Sequence, residues 1–261
     1  FGDFRHLTYF AWNFTSATGF IRSNQIGSGA LDVVKWAHQQ GYPMLFNHPT
    51  TAGSTKEDSV SRNAYCADLV EVTSDYQSIR SGIEVFDALL RKGVTVTGVW
   101  DSDSHSYIYE GAPATMIYCS DLGLENILKR LFEGRAFMAR NQFPGHLVYN
   151  IQPSSEPYPA RYVCYVPQGD DARLYVKVDQ GLQQGWKLSW VRNGTYILSE
   201  TITGTSLEVT RRFGLPDQAN YFRVEIRDET DRIVAMSQAI LFKRVAHMPT
   251  GVYAHLDNVV S

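Results

Sequence analysis

A cluster of acidic and imidazole side chains follows a strand-like segment near the middle of the chain. The segment Val94 to Val99 is rich in β-branched residues, which predicts a buried strand. Asp101, Asp103 and His105 come next, and alternation along an extended chain places all three on one side. Buried charge is costly unless it is paired or bound to a metal, so this spacing favours a shared cation. The alternative is a polar strand-to-loop turn with a helix cap.

Two further histidines and one acid lie at or within strand-like segments. His48 directly follows the apolar segment Met44 to Asn47 and precedes a proline, and it is either a metal ligand or a turn residue. His6 stands at the start of LTYFAW and is either a ligand or a polar residue of an edge strand. Glu71 interrupts the apolar segment Leu69 to Thr73, which indicates a partner that holds an imidazole from behind.

Two arginines flank a third strand-like segment, Phe137 to Ala139. Arg135 and Arg140 are predicted near the same rim, where they would meet an anionic group of a substrate. The alternative for both is a solvated or salt-bridged position on the surface.

The composition is that of an ordinary globular protein. The chain has 261 residues, of which 44% are hydrophobic and 20% charged, and this length suits one large or two ordinary domains. The net charge is −3, so no basic surface argues for nucleic acid or for an anionic membrane. No apolar run approaches the roughly 20 residues that a transmembrane helix needs.

The first 140 residues alternate between strands and helices. Short apolar strands are predicted at His6 to Phe10, Met44 to Asn47, Leu69 to Thr73 and Val94 to Val99. Apolar spacing near 3.6, with a glycine at the end, predicts helices in LDVVKWAHQQG, IEVFDALLRKG and LENILKRLFEG. Strand and helix in rotation predict a parallel α/β arrangement, whose ligands collect at the carboxyl ends of the strands.

The pattern changes after about residue 140. Alternating segments such as WKLSWVRNG, TYILSETI and YFRVEIRDE, separated by turn residues, predict an antiparallel β-sandwich. Asn193-Gly194 is a strong signal for a two-residue hairpin. The predicted organisation is therefore an α/β region over 1–140, a sandwich-like domain over 141–247 and a tail over 248–261.

The order of these residues resembles the PHP (polymerase and histidinol phosphatase) superfamily of metallohydrolases. The likeness rests on His6, His48-Pro49, Leu69 to Val72 with Glu71, Ser102-Asp103-Ser104-His105, and the segment ENILKRLFEGRAFMAR. It is greatest to the CehA/McbA-like branch, in which an S-D-[SA]-H motif ends a late barrel strand and a G-R-[TA]-[FY] segment leads into a β-domain.

The resemblance implies a distorted barrel that binds two or three Zn, Mn or Fe ions. His6, His48, Asp103 and His105 would be metal ligands, and imidazole with carboxylate suits such metals. Asp103 and His105 would also serve catalysis. Glu71, Asp101 and Arg135 would support the ligands or contact a small-molecule substrate. A secreted or periplasmic location is implied by the resemblance alone.

One departure from the family concerns the first strand. The family begins with an H-x-H motif, and no H-x-H occurs in this sequence. About half of the metal site is therefore not identified, and we expect the partial barrel to be completed by an N-terminal segment or by another chain.

Two classes of function follow from these patterns. The first is a metal-dependent hydrolase of ester, amide or phosphoester bonds. The second is a non-catalytic binding module whose sandwich recognises a glycan or a protein through the aromatic residues Trp186, Trp190 and Tyr196. The acidic charge balance disfavours a nuclease or a phosphatase that acts on DNA.

Overall fold

The computed structural model of the chain describes residues 7–9, 30–39, 42–50, 56–73, 79–102, 111–140, 143–216 and 220–246. Strands make up 41% of these residues and α-helices 20%. The fold is therefore rich in β-structure.

The strands are β1 (Leu7–Tyr9), β2 (Met44–Phe46), β3 (Leu69–Thr73), β4 (Thr97–Trp100), β5 (Pro113–Ile117), β6 (Ala136–Arg140), β7 (Leu147–Asn150), β8 (Val163–Pro167), β9 (Ala172–Val178), β10 (Lys187–Arg192), β11 (Thr195–Thr201), β12 (Leu207–Phe213), β13 (Asn220–Arg227), β14 (Ile233–Ser237) and β15 (Ile240–Val245). The helices are α1 (Ala30–Gln39), α2 (Lys56–Ser61), α3 (Ile79–Arg91) and α4 (Leu124–Glu133), with a short 3-10 helix at Asn63–Cys66.

The three helices predicted from apolar spacing are confirmed as α1, α3 and α4. Helix α3 buries Gly82, Val85, Phe86, Leu89 and Leu90, the spacing expected of one apolar face. Helix α4 ends at Gly134, whose φ of 74° is a left-handed conformation that favours glycine. In the part of the chain that the structure describes, every helix is too short or too polar to cross a membrane.

The first sheet has the order β1-β2-β3-β4. Strands β2, β3 and β4 are parallel, and β1 pairs antiparallel with β2, Leu7 opposite Phe46. Every residue of β2, β3 and β4 is buried, which agrees with the continuous apolar runs typical of parallel strands. The four predicted strands of this region are thus confirmed.

Side chains rather than a further strand cover the outer edge of β4. The amide of Gln238 accepts a hydrogen bond from the Gly98 N–H and donates one to the Gly98 carbonyl, both at 2.8 Å. At Trp100, two residues after Gly98 in β4, the Thr115 hydroxyl accepts from the main-chain N–H at 2.9 Å and donates to the carbonyl at 2.8 Å. These side chains satisfy the groups that an adjoining strand would have bonded, so the sheet ends at β4.

The predicted fold class, an α/β partial PHP-type barrel followed by an all-β antiparallel sandwich-like domain, is wrong. Strands β5 and β6 do not continue the parallel sheet but join an eight-stranded sheet through antiparallel pairs. No closed barrel forms among the described residues. The physical reason is the covered edge of β4, which leaves β5 and β6 to pair with each other and with β14.

The second half of the chain contributes most of two further sheets. The larger one runs β11-β10-β13-β14-β6-β5, with β15 paired to β13 and β8 paired in parallel to β15. The smaller one runs β12-β9-β7. The predicted Asn193-Gly194 hairpin is confirmed between β10 and β11, since both residues have positive φ, 52° and 82°.

The core crosses the boundary predicted at 140/141. One buried cluster combines Phe86, Leu89 and Trp100 with Tyr221 and Met236. A second buried cluster fills the space between the two sheets of the second half and includes Trp190 and Phe222. Burial of apolar surface therefore ties the parallel strands and their helices to the large sheet.

Candidate functional site

The carboxyl ends of the three parallel strands bring polar residues to one edge of the first sheet. His48 lies two residues beyond the end of β2, and Asp101 directly follows β4. The Asp101 N–H donates to the Thr73 carbonyl at 3.2 Å, so the pairing of β3 with β4 continues up to this residue. This edge is where open parallel sheets place their ligands.

His48 and Glu71 form a close pair at this edge. The ring nitrogen Nδ1 of His48 lies 2.7 Å from Glu71 Oε2. The His48 main-chain N–H donates to the same oxygen at 2.9 Å. The Glu71 side chain is fully buried within β3 and the His48 side chain is 9% exposed. One carboxylate oxygen therefore accepts a hydrogen bond from the backbone of His48 and also lies within ion-pair distance of its ring.

The backbone of His48 is unusual. Its φ is 48°, the left-handed region that a non-glycine residue adopts at a cost of order 1–3 kcal/mol. This turn lets the ring and the main-chain N–H reach the same oxygen of Glu71. The following residue is also anchored, because the Ser59 hydroxyl donates to the Pro49 carbonyl at 2.6 Å.

The pair fits the role of a metal ligand and its support. Since Nδ1 faces Glu71, His48 would coordinate a metal through Nε2. Histidines that bind metals commonly donate their other ring N–H to a carboxylate, which sets the tautomer and the ring orientation. Within the described ranges, no group of three or more His, Cys, Asp or Glu side chains is placed to hold a metal ion.

Three of the predicted ligands lie outside the described residues. They are His6, Asp103 and His105. Of the predicted site, the structure thus brings together His48 and Glu71 and places Asp101 at the same edge. The ligand roles of His6, Asp103 and His105 stay predictions.

Arg135 lies at the opposite edge of the first sheet. A Cβ atom added to its neighbour Gly134 would lie 3.0 Å from Thr97 Oγ1, at the beginning of β4. The Arg135 side chain bonds Glu133 Oε2 at 3.0 Å and Glu156 Oε2 at 2.9 Å. Arg135 is therefore a salt-bridged arginine, as the alternative interpretation of the sequence expected.

Arg140 is the last residue of β6 and lies at the end of that strand nearer to Asp101. The register pairs Thr115 with Met138, and Thr115 bonds Trp100, so Arg140 lies two residues further along β6. Its Nη1 donates to the Gly111 carbonyl at 2.9 Å. The sequence pattern predicted both arginines at the same rim. The direction in which β6 runs beside β4 places them at opposite edges of the first sheet.

Another imidazole and carboxylate meet at the amino edge of the sheet. His38 Nε2 lies 2.8 Å from Asp68 Oδ2, which also accepts from the Met44 N–H at 2.9 Å. Arg161 Nη1 lies 2.5 Å from Asp68 Oδ1. Sequence reasoning assigned His38 no role and missed Asp68, although an acid directly before a buried strand is a signal of a capping contact.

The aromatic residues considered for a binding module are mostly interior. Trp186 is 8% exposed and Trp190 is fully buried, whereas Tyr196 is 52% exposed. The indole N–H of Trp190 donates to Glu200 Oε2 at 2.8 Å. Two of the three aromatics thus belong to the core rather than to a recognition surface.

Comparisons with known proteins add little to this geometry. No family model and no curated protein matches the chain. Among solved structures, it is similar to the extracellular domain of a protein assigned as a one-component system of B. thetaiotaomicron. The identity is 10% and the TM-score 0.26, over 44% of this chain and 17% of that one. This likeness carries no argument about fold or function, and the PHP resemblance stays a prediction.

Proposed function

We propose that the protein is a metal-dependent hydrolase of ester, amide or phosphoester bonds, with its site at the carboxyl edge of β2, β3 and β4. The observation that supports this most is the His48–Glu71 pair. A fully buried carboxylate that accepts from the backbone of one histidine and lies 2.7 Å from its ring is costly to build for a surface turn. It is the arrangement that orients an imidazole towards a cation.

The residues have separate roles in this proposal. Glu71 positions His48 through its backbone N–H and lies beside the ring, and His48 would coordinate through Nε2. On the strength of the PHP resemblance, His6, Asp103 and His105 add further donors, and an N-terminal segment or another chain supplies the rest. Asp101 supports these ligands or contacts the substrate. Two or three Zn, Mn or Fe ions, when bound, would activate water for the attack on a small-molecule substrate.

Two substitutions test the proposal. His48→Ala removes the donor itself, and Glu71→Gln keeps the side-chain shape but removes the charge behind the imidazole. We expect His48→Ala to lose bound metal and Glu71→Gln to bind metal roughly 10–100-fold more weakly, the usual effect of losing such support. Elemental analysis and metal titration measure this, and hydrolysis of a nitrophenyl ester and of a nitrophenyl phosphodiester should fall in parallel.

The chain offers a matched control. His38→Ala also removes an imidazole that is paired to a buried carboxylate, Asp68, but at the amino edge. This variant should keep both its metal and its turnover. Unchanged metal content and unchanged hydrolysis in His48→Ala would remove His48 from the site and overturn the proposal.

A further inference from the structure

A second cavity, of about 390 Å³, lies away from the proposed metal site. Its walls include Tyr158, Tyr162, Tyr165, Ile151 and Cys164. The segment that carries Tyr158 and Tyr162 is fixed at the amino edge of the first sheet, where Arg161 bonds Asp68. His48 lies at the carboxyl edge, so the cavity and the proposed site face opposite ends of the strands.

Two uncharged residues of the cavity wall are almost completely buried. Cys164 is 5% exposed and Ile151 6% exposed. Burial raises the pKa of the Cys164 thiol to about 12, so the thiol stays protonated at neutral pH. Burial also raises the pKa of the Tyr158 phenol above its usual value. A ring that enters the cavity can pack against the neutral Tyr158 phenol, a favourable contact for aromatic groups.

The rim of the cavity holds a fixed hydrogen-bond donor. Arg135 lines the rim, where Glu133 holds its Nε and Glu156 its Nη1. The Pro157 carbonyl accepts a further bond from Nη1 at 3.3 Å. Nη2 makes no hydrogen bond within the described part of the chain. Arg130 also bonds Glu156, at 3.3 Å, and the two arginines and two glutamates of this network carry no net charge.

Exposed aromatic surface continues outside the cavity. Tyr162 is 51% exposed and Phe132 38% exposed, and both belong to the small group of large hydrophobic side chains left open to solvent. The Arg161 guanidinium lies 4.2 Å from the centre of the Phe132 ring. The walls combine apolar groups with polar ones such as Asn150 and Gln152. A concave site with an aromatic entrance and fixed polar groups is typical of small-ligand binding.

We propose that this cavity binds a small compound with one aromatic ring and an uncharged hydrogen-bond acceptor. The ring packs against the tyrosines that line the cavity, and the acceptor receives a hydrogen bond from Arg135 Nη2. An uncharged acceptor fits because the guanidinium charge is already balanced by two carboxylates. The inference goes beyond the proposed hydrolase function and does not depend on it.

Benzamide is a suitable probe, with cyclohexanecarboxamide as its non-aromatic match and benzoate as its charged one. Titration calorimetry of the full chain in the presence of a chelator separates this binding from any metal site. We expect benzamide to bind roughly two- to tenfold more tightly than cyclohexanecarboxamide, the worth of one ring contact. Benzoate should bind no more tightly than benzamide.

Two variants localise the binding. Tyr162→Ala removes a half-exposed wall residue and should weaken benzamide binding by a similar factor. Tyr196→Ala removes an equally exposed tyrosine from β11 and should leave it unchanged. Gln152→Trp keeps the walls intact but blocks the rim, and it should abolish binding even if Tyr162→Ala proves unstable.

Four outcomes would overturn the proposal. They are no saturable binding of benzamide, equal binding of the cyclohexane compound, tighter binding of benzoate, and full binding by the Gln152→Trp protein.

Discussion

Arg223 carries a charge into the interior between helix α3 and the large sheet. Its side chain is 2% exposed, and its Nε and Nη2 bond the two carboxylate oxygens of Asp87, each at 3.0 Å. Nη1 bonds Glu225, which also accepts from Tyr196 at 2.9 Å. A fork-like guanidinium suits this geometry, because it meets one carboxylate with two parallel bonds and a second carboxylate with the third nitrogen.

Removal of this guanidinium should destabilise the fold strongly. Arg223→Met leaves two carboxylates buried without their main partner, for which we expect a loss of about 3–5 kcal/mol in the free energy of unfolding. Urea titration measures it. Arg80→Met serves as the control, since Arg80 is 89% exposed and its pair with Glu84 is worth under about 1 kcal/mol. Equal losses in the two variants would show that burial adds nothing to the Arg223 pairs.

The Glu225 carboxyl gives the same cluster a dependence on pH. Burial alone would raise the pKa of Glu225, but Arg223 and Arg227 outweigh burial and hold the pKa below its usual value. The ionised form is thus favoured in the folded state. Its contribution to stability is present above the pKa of the unfolded chain, about 4.3, and is lost as the pH falls through the folded pKa.

We therefore expect Glu225→Gln to flatten the acid side of the stability profile. Urea unfolding at about pH 7 and about pH 3.5 should show a smaller difference for the variant than for the parent protein. Asp228, whose pKa is also lowered, remains in both proteins and accounts for part of the residual slope. An unchanged difference between the two pH values would mean that Glu225 is not the group that titrates.

Among the secondary-structure elements, local sequence patterns determine which helices and strands form. Contacts between residues distant in sequence determine how the strands assemble into sheets. The helices and the parallel strands follow from apolar spacing, and Glu71 was identifiable because an acid interrupts a buried strand. The covered edge of β4 was not predictable, since Gln238 lies 140 residues from Gly98. The position of Arg135 at the amino edge of the first sheet was not predictable for the same reason, because it depends on how β6 packs beside β4.

Gln238→Glu tests the cover of the β4 edge. The carboxylate can still accept from the Gly98 N–H, but it cannot donate to the Gly98 carbonyl, and it adds a charge at a position that is 3% exposed. An unsatisfied buried group costs about 1–3 kcal/mol, so we expect at least this loss in the free energy of unfolding. Gln183→Glu, the same change at an exposed position, should have little effect. Equal stability of both variants would contradict the role of Gln238.

For the whole molecule, these contacts join regions that the sequence pattern separates. Asp87 and Arg223 are 136 residues apart, and Gly98 and Gln238, the pair that covers β4, are 140 residues apart. The buried cluster that contains Phe86 and Trp100 also contains Tyr221 and Met236. Chains of this length often unfold in stages, but a shared core and a buried ion pair penalise the loss of either part alone.

We therefore expect the parallel strands and the large sheet to unfold as one cooperative unit. Hydrogen exchange followed by mass spectrometry should give the amides of β3 (Leu69–Thr73) and β13 (Asn220–Arg227) the same free energy of opening across a denaturant series. The Arg223→Met variant should lower both values by the same amount, because the pair it breaks stabilises the junction and not one side. If β3 opened at a lower free energy than β13, or if the variant lowered only one of the two, the shared core would not couple the two regions.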